Sequence, residues 1–279
     1  MKLAFSTNAY KQTNLETAIE SIASIRIDDA RYTGVEIMAD VPHAYPRDMF
    51  PRRIDMIREK LDRLKLSISN VNAFTLFAIG DTYHPTWIDD NPLAVEQRVD
   101  HTHSVIGMSA ALGAKTISLQ PGGPLGRIDR QVALGRYREG LETLLPYAQQ
   151  HGVMLMIEPE PGLLIQHSWE CIEFLEQINH PNLKMNCDLG HFYCVNEDPA
   201  EVVRACAKWI AHVHLEDIKE NRVHQHHIPG TGAMDFAGIF GALREVGYGG
   251  WVTVELYPFE MTPEMAARRA LEYLRGFVV

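Results

Sequence analysis

Hydrophobic and polar residues alternate along the chain in two repeating patterns. Short runs rich in Val, Ile and Leu are typical of buried strands. Each run is followed by a longer stretch in which apolar residues recur every three or four positions, which is typical of an amphipathic helix. Eight runs predict strands: Leu3–Ser6, Gly34–Met38, Leu66–Asn72, Thr116–Gln120, Val153–Glu158, Leu183–Asp188, Ile210–Leu215 and Trp251–Leu256.

Helix signals lie between these strands. The apolar positions of Leu134–Ala148 form one helical stripe. The segments Asp198–Glu201 and Thr262–Glu264 each place a capping residue before a proline and an acidic residue after it, which is how many helices begin. Gly152 directly precedes a predicted strand and is typical of the residue that ends a helix.

This order of strands and helices predicts an α/β fold with a parallel sheet and helices outside it. Eight units in 279 residues fit a closed (β/α)8 TIM barrel better than an open doubly wound sheet. The glycine fingerprint G-x-G-x-x-G does not open the first unit, which disfavours a dinucleotide-binding fold. Because no linker or change of composition interrupts the chain, we expect residues 1–279 to form a single TIM-barrel domain.

The longest irregular segment, Ala73–Pro92, lies between the third strand and its helix. Long loops in compact domains often form part of a functional site. Two interpretations are open, a lid above a binding site or a loop packed on the barrel rim. The aromatic and imidazole side chains of this segment are Phe74, Phe77, Tyr83, His84 and Trp87.

The side chains expected to point into the barrel end in polar residues. Alternate residues of a strand face opposite sides, and active sites of TIM barrels lie at the carboxyl ends of the strands. On strands five to eight one parity is apolar and should face the helices. The other parity ends in Glu158, Asp188, His214 and Glu255. The same rule directs Glu36, Asn72, Gln120 and His212 inward.

Glu158, Asp188 and Glu255 should then share one small space, where ionised carboxylates repel each other strongly. A divalent cation removes this repulsion. Together with the imidazole of His214, the carboxylates form a mixed oxygen and nitrogen ligand set that accommodates Mn²⁺, Mg²⁺, Co²⁺, Fe²⁺ or Zn²⁺ without selecting among them. We therefore predict one divalent metal ion bound by these four residues.

Charge and composition narrow the range of partners. The chain has 36 acidic and 26 basic residues and a formal charge of −10, which argues against nucleic-acid binding. No apolar run approaches the roughly 18 residues of a membrane span, and the first residues lack the pattern of a signal peptide. The four cysteines contain no C-x-x-C pair, so we expect reduced thiols in a cytoplasmic protein without a membrane partner.

Five short motifs resemble those of the xylose isomerase-like TIM barrels. Each motif alone is weak, but five in the family's order, over nearly the whole chain, are specific. This superfamily includes ketose 3-epimerases, hydroxypyruvate isomerase, inosose dehydratase and metal-dependent apurinic endonucleases. The motifs are I-E-P at Ile157–Pro159, D-L-G-H at Asp188–His191, H-V-H-L-E-D at His212–Asp217, P-G-T-G at Pro229–Gly232 and V-T-V-E at Val252–Glu255.

The resemblance implies roles for individual residues. The predicted ligand set matches the family's single-metal site, and in the epimerases the two glutamates, here Glu158 and Glu255, also form the acid/base pair. His191 matches a histidine that supports the metal site or binds substrate. Arg222 resembles an arginine that binds substrate oxygens, although its offset differs from that in the epimerases. At the same barrel mouth, Asn72 and Gln120 are candidate substrate-binding residues.

The endonuclease branch is disfavoured by the same comparison. It uses histidines at the ends of strands three and four, where this chain has Asn72 and Gln120. It also uses an Asp and a His before the glycine pair, where this chain has His224 and His226. These two histidines, with the adjacent His227, could form a second metal or phosphate site, but a solvated loop is the favoured interpretation.

The predicted activity is isomerisation or epimerisation of a sugar, sugar derivative or cyclitol. A proton next to a carbonyl would be removed and returned by Glu158 and Glu255 through an enediolate that the metal stabilises. Dehydration of the inosose dehydratase type is the alternative. The epimerases carry a further carboxylate several residues after the strand-five glutamate, but here Glu160 follows after only two, which argues against strict ketose 3-epimerase activity.

Two further expectations concern substrate and assembly. Few cations flank the candidate site, which favours an unphosphorylated, carbohydrate-like small molecule. A non-catalytic metal-binding barrel is kept as a hypothesis of a different class, although the presence of both glutamates argues against it. Homo-oligomers occur in families of this kind, and the sequence defines no subunit interface.

Overall fold

Eight parallel strands close into a barrel in the computed structural model, which describes residues 1–278. Each strand pairs with its neighbours in chain order, and the first pairs with the last. The predicted (β/α)8 barrel is therefore confirmed. The strands are β1 (Lys2–Ser6), β2 (Gly34–Met38), β3 (Ser67–Asn72), β4 (Thr116–Leu119), β5 (Met154–Ile157), β6 (Leu183–Asp188), β7 (Ile210–Leu215) and β8 (Trp251–Val254).

Helices surround the barrel and connect its strands. Over residues 1–278, no helix has both the length and the apolar character needed to cross a membrane. A short antiparallel ribbon, Arg26–Ile27 with Ala30–Arg31, lies outside the barrel. The helices are α1 (Leu15–Ser24), α2 (Pro51–Leu64), α3 (Pro92–Leu112), α4 (Arg130–Gln150), α5 (Ser168–Ile178), α6 (Leu189–Cys194), α7 (Pro199–Cys206), α8 (Phe236–Glu245) and α9 (Pro263–Leu274).

The helix signals are confirmed with one exception. The Asp198 side chain accepts hydrogen bonds of 2.8 and 3.1 Å from two backbone N–H groups in the first turn of α7. Gly152 follows the end of α4 with a φ of +64°, a left-handed conformation that glycine adopts readily. Helix α9 begins at Pro263 as predicted, but Thr262 makes no capping hydrogen bond because its backbone (φ −143°, ψ 46°) is not extended.

Apolar and polar side chains occupy opposite sides of the strands. Leu155 and Ile157 of β5 are fully buried in one continuous apolar cluster with the helices. Inside the barrel, Asn70 is fully buried, and its Nδ2 atom donates to Glu36 (2.9 Å) and to Ser118 (3.0 Å). Buried polar groups are costly unless they are hydrogen-bonded, and these bonds offset that cost. Asn70 therefore links Glu36 of β2 to Ser118 of β4 inside the barrel.

The β3–α3 loop, residues 73–91, combines the two interpretations considered from the sequence. Trp87 is 1% exposed and packs edge-on against the Tyr137 ring of α4, so this part of the loop belongs to the packed rim. Phe74, Phe77 and Tyr83 line a cavity at the barrel mouth. The first part of the loop thus contributes to the cavity wall, whereas residues 85–88 are buried in the packed rim.

A buried carboxylate holds the loop between β7 and α8. Asp217 accepts hydrogen bonds of 2.7–3.2 Å from the backbone N–H groups of Ile218, Gly230, Gly232 and Met234. A Cβ atom at Gly232 would lie 2.2 Å from an Asp217 carboxylate oxygen. Gly232 of the P-G-T-G motif, which has no Cβ atom, therefore allows the backbone to approach this carboxylate closely.

We expect Gly232→Ala to lower the free energy of unfolding by about 1–3 kcal/mol, since the added methyl group pushes Asp217 from its donors. Gly241 in α8 provides a matched control, because a Cβ atom there meets nothing within 4 Å. Gly241→Ala should stabilise the helix by up to about 1 kcal/mol. Urea unfolding of both variants measures the difference, and equal stabilities would contradict this role of Gly232.

Candidate metal centre

The four residues predicted as metal ligands meet at the carboxyl ends of β5 to β8. One ligand atom of each lies within 4.8 Å of the others, and all four residues are buried. The Nδ1 atom of His214 is 2.9 Å from Glu158 Oε1 and 3.7 Å from both Asp188 Oδ2 and Glu255 Oε1. The convergence expected from strand parity is therefore present.

A further carboxylate fixes the ring of His214. Glu36 Oε2 lies 2.6 Å from His214 Nε2, so this nitrogen carries the proton that it donates. The other ring nitrogen, Nδ1, then faces the three acids. A carboxylate behind an imidazole is a common support for metal-binding histidines. Burial acts to raise the pKa of Glu36, but His214 and the hydrogen bond from Asn70 outweigh it and lower the pKa to about 2.

The residues present fit a divalent cation. Three carboxylates share this space with one imidazole. Glu158 Oε2 and Asp188 Oδ2 are buried atoms with no hydrogen-bond partner among the described residues. Such buried, unpartnered charged oxygens are costly, and coordination by a cation satisfies them. The donor set and its orphaned atoms therefore match the predicted single-metal site.

Burial also changes the proton affinities of this cluster. It raises the pKa of Glu158, and it raises the pKa of Glu255 well above the usual range, although His214 opposes both shifts. For His214, burial lowers the pKa, but Glu36, Glu158 and Glu255 together raise it well above the usual range. Either bound protons or a bound metal ion can therefore offset the negative charge of these carboxylates.

The centre lies in a cavity of about 270 Å³, whose lining includes Glu158 and Glu255. A recess that brings a few polar groups together within an apolar wall is typical of a small-molecule site. The larger apolar and aromatic side chains of the wall are Met38, Phe74, Phe77, Tyr83 and Tyr257. The wall also includes polar side chains, so the cavity combines ionisable groups with aromatic surface.

Two of the four predicted substrate-binding residues line this cavity. The Nδ2 atom of Asn72 donates to Glu255 Oε1 at 3.2 Å. His191 donates from Nδ1 to the Pro159 carbonyl at 2.9 Å, and its Nε2 lies 3.6 Å from Asp188 Oδ2. Both side chains are therefore fixed beside the metal centre.

The other two, Gln120 and Arg222, are not among the residues that line the cavity. Gln120 is fully buried, and its Nε2 donates to the Tyr83 carbonyl at 2.8 Å, so it supports the β3–α3 loop. The Arg222 guanidinium donates to the Tyr193 carbonyl and lies 3.9 Å from the centre of that ring. This cation–π contact holds the Arg222 side chain on Tyr193, and its contact with a substrate stays a prediction.

The sequence favoured a solvated loop around His224 and His226, and this expectation is wrong. His226 is 1% exposed, and its Nδ1 donates to the Glu255 carbonyl at 2.9 Å. One nitrogen each of His191, His224 and His226 lies within 4.8 Å of the others. Burial lowers the pKa of His191 and of His224 to about 3, and it lowers that of His226 well below its usual range. These three imidazoles are therefore neutral near pH 7, and they form a second candidate metal-binding group.

Asn8 and Glu160 also lie at the site, and no role was assigned to either of them from the sequence. Asn8 Nδ2 donates to Glu255 Oε1 at 2.8 Å. The inward-facing parity of β1, continued two residues beyond its end at Ser6, would have indicated Asn8. Glu160 accepts from the Tyr83 hydroxyl at 3.0 Å and lies 3.9 Å from His224 Nδ1. Burial and the neighbouring acids raise the pKa of Glu160 well above its usual range. The same extension of strand parity, two residues past Glu158, directs Glu160 toward the cavity.

Comparison with known proteins identifies the family. The model of the family described as xylose isomerase-like TIM barrel matches residues 26–277, so the chain belongs to this family, as the motifs predicted. An inosose dehydratase of Lacticaseibacillus casei is 25% identical, over 95% of this chain and 90% of its own length. A fructoselysine 3-epimerase of Shigella flexneri is 25% identical, over 100% of this chain and 98% of its own length.

Solved structures show the same fold. A structure of the IOLI protein with a zinc atom bound has a TM-score of 0.81 at 19% identity, covering 100% of this chain and 98% of that one. The names of the two sequence relatives, a dehydratase and an epimerase, agree with the enzyme classes predicted from the sequence.

We expect Glu36→Gln to weaken binding of a divalent metal by about 10- to 100-fold, because an amide no longer holds His214 in the required tautomer. Competition with a chelating indicator measures the affinity of the metal-free protein for Mn²⁺ or Zn²⁺. Glu20→Gln is the control, since Glu20 pairs with Lys60 at the surface. Unchanged affinity in Glu36→Gln would contradict its supporting role.

Metal binding near neutral pH should release protons. Burial raises the pKa values of Glu158 and Glu255, and His214 is also held protonated, so a cation must displace protons from this cluster. The affinity should therefore rise as the pH rises. Calorimetric titration in two buffers of different ionisation enthalpy counts the protons. A pH-independent affinity without proton release would show that these acids are already ionised.

Proposed function

We propose that the protein is a divalent-metal-dependent isomerase or epimerase of a sugar, sugar derivative or cyclitol, which moves a proton on the carbon next to a carbonyl group. The position of Glu158 and Glu255 carries this proposal. Both carboxylates belong to the metal centre, both line the cavity, and each reaches it from a different strand. A pair of proton-transferring groups is what this reaction requires.

The two glutamates divide the proton transfer between them. One removes the proton from the substrate carbon and the other returns a proton. Return to the opposite face of the same carbon gives epimerisation, and return to the adjacent carbon gives isomerisation. Asn8 and Asn72 both donate to Glu255 Oε1, and these two hydrogen bonds fix the carboxylate.

Glu158, Asp188, His214 and Glu255 would hold the metal ion. When bound there, a divalent cation polarises the substrate carbonyl and stabilises the negative charge that develops beside it. Glu36 keeps the imidazole of His214 in the tautomer that faces this position. The ligand set does not distinguish among Mn²⁺, Mg²⁺, Co²⁺, Fe²⁺ and Zn²⁺.

The relatives and the cavity both support a carbohydrate-like substrate. One relative is named for an inosose and the other for fructoselysine. In the part of the chain that the structure describes, Lys11 is the single lysine or arginine lining the cavity, and it lies 3.7 Å from Glu260. A phosphorylated substrate would call for more positive charge than this, so an unphosphorylated one fits better.

Dehydration is the second candidate, and Glu160 is the observation that favours it. Loss of a hydroxyl group from the carbon beside the deprotonated one requires a proton at the departing oxygen. Glu160 offers a carboxyl group on the cavity wall, next to the Tyr83 hydroxyl but outside the metal ligand set. The inosose dehydratases among the relatives favour the same reaction.

Hydrogen exchange in D₂O tests the proposed reaction. We expect the protein loaded with Mn²⁺ or Co²⁺ to incorporate deuterium into at least one member of a panel of ketoses and inososes, as followed by NMR. Glu255→Gln should lower turnover by about 10²- to 10⁴-fold, because an amide cannot transfer the proton. Glu245→Gln is the control, since that carboxylate pairs with Arg204 at the surface.

The products distinguish the candidates. Deuterium at an inverted or adjacent carbon indicates epimerisation or isomerisation, and loss of water indicates dehydration. Full activity of Glu255→Gln would contradict the proposed acid/base pair. Absence of exchange with every metal and substrate would favour a non-catalytic barrel.

A further inference from the structure

Two buried side chains of opposite charge hold the part of the β3–α3 loop that forms a wall of the cavity. Five residues of this loop line the cavity: Phe74, Thr75, Phe77, Thr82 and Tyr83. Active-site loops are often mobile lids that close over the substrate. Here the loop is bonded to Asp40, two residues after β2, and to Arg98 of α3. Neither residue belongs to the metal centre.

Asp40 holds the first part of the loop. The residue is 1% exposed, and its Oδ2 accepts from the Thr75 hydroxyl at 2.9 Å and from the Phe77 backbone N–H at 2.5 Å. Its Oδ1 accepts from the Ala78 backbone N–H at 3.1 Å. Hydrogen bonds to a charged acceptor are roughly twice as strong as neutral ones. The backbone on either side of Phe77 is therefore tied to the end of β2.

Arg98 holds both ends of the same loop segment. Its guanidinium is fully buried and donates from Nε to the Pro85 carbonyl at 2.8 Å. Its Nη1 donates to the carbonyls of Ala73 at 3.3 Å and Phe74 at 3.0 Å. A buried charge is tolerated where hydrogen-bond partners replace water. Because one planar group joins residues 73–74 to residue 85, it fixes the distance between the two ends of the segment.

We propose that Asp40 and Arg98 are positioning residues that fix residues 73–85 as a preformed wall, so that the cavity selects its substrate by shape without a closing lid. The loop groups that would meet a substrate are Phe74, Phe77 and Tyr83, the last of which donates to Glu160. The inference that the wall selects a substrate rests on the proposed function, whereas the inference that Asp40 and Arg98 fix residues 73–85 does not.

Two variants release the wall at different points. Asp40→Asn keeps the shape of the side chain but turns an amide N–H toward backbone donors. Arg98→Met keeps the apolar stem and removes the charge. Chymotrypsin reports the loop directly, because Phe74, Phe77 and Tyr83 are cleavage sites and no substrate is required. We expect both variants to be cut within residues 73–85 at least about tenfold faster than the wild type, because local opening becomes easier.

The same variants separate binding from chemistry. We expect KM to rise about tenfold or more while kcat changes less than about threefold, since the wall positions substrate and the acid/base glutamates lie on other elements. Arg136→Met is the matched control. Arg136 donates to the carbonyls of Ile88 (3.4 Å) and Asp89 (3.1 Å) in the half of this loop that does not line the cavity. Its KM should equal that of the wild type.

The outcomes are distinguishable. Wild-type digestion rates in both folded variants would overturn the proposal, and so would faster digestion with an unchanged KM. If Arg98→Met fails to fold, Asp40→Asn decides alone, because its side chain is the same size. A wild-type protein that turns over no sugar would contradict the proposed function, while the digestion experiment would still decide whether Asp40 and Arg98 fix the loop.

Discussion

Repulsion among buried acids around a single imidazole is the constraint on which the barrel mouth depends. His214 has Glu36 on one ring nitrogen, and Glu158, Asp188 and Glu255 face the other. Such a cluster destabilises a protein unless protons, a cation or hydrogen-bond donors balance it. The amide donors of Asn8, Asn70 and Asn72 lie against these carboxylates, so part of the polar interior serves to hold them in place.

Much of the fold and the inner site is readable from the sequence, because strands impose a strict period of two. The predicted strand ends lie within two residues of those observed, and closure of the barrel brings them together. Glu158, Asp188, His214 and Glu255 therefore converge although 97 residues separate the first from the last. The same rule predicts that Glu36 points inward. Its role, however, depends on a 2.6 Å contact with His214, which lies on a strand far away in the sequence.

The outer part of the site was less predictable because loops carry no period. The path of the loop holding His224 and His226 depends on four hydrogen bonds to Asp217. The P-G-T-G motif marks a close approach of this backbone, but it does not show which side chain the backbone meets. Arg222 lies on Tyr193 for an equally local reason. Chemistry and selectivity are thus divided between strand ends and loops, which allows one barrel family to serve different substrates.

Anomalous diffraction from crystals soaked in Mn²⁺ tests the metal centre most directly, because it locates the ion without reference to a substrate. We predict a strong peak enclosed by Glu158, Asp188, His214 and Glu255. A peak confined to the group of His191, His224 and His226, or no peak at a saturating metal concentration, would contradict the assignment of these four residues as the primary metal ligands.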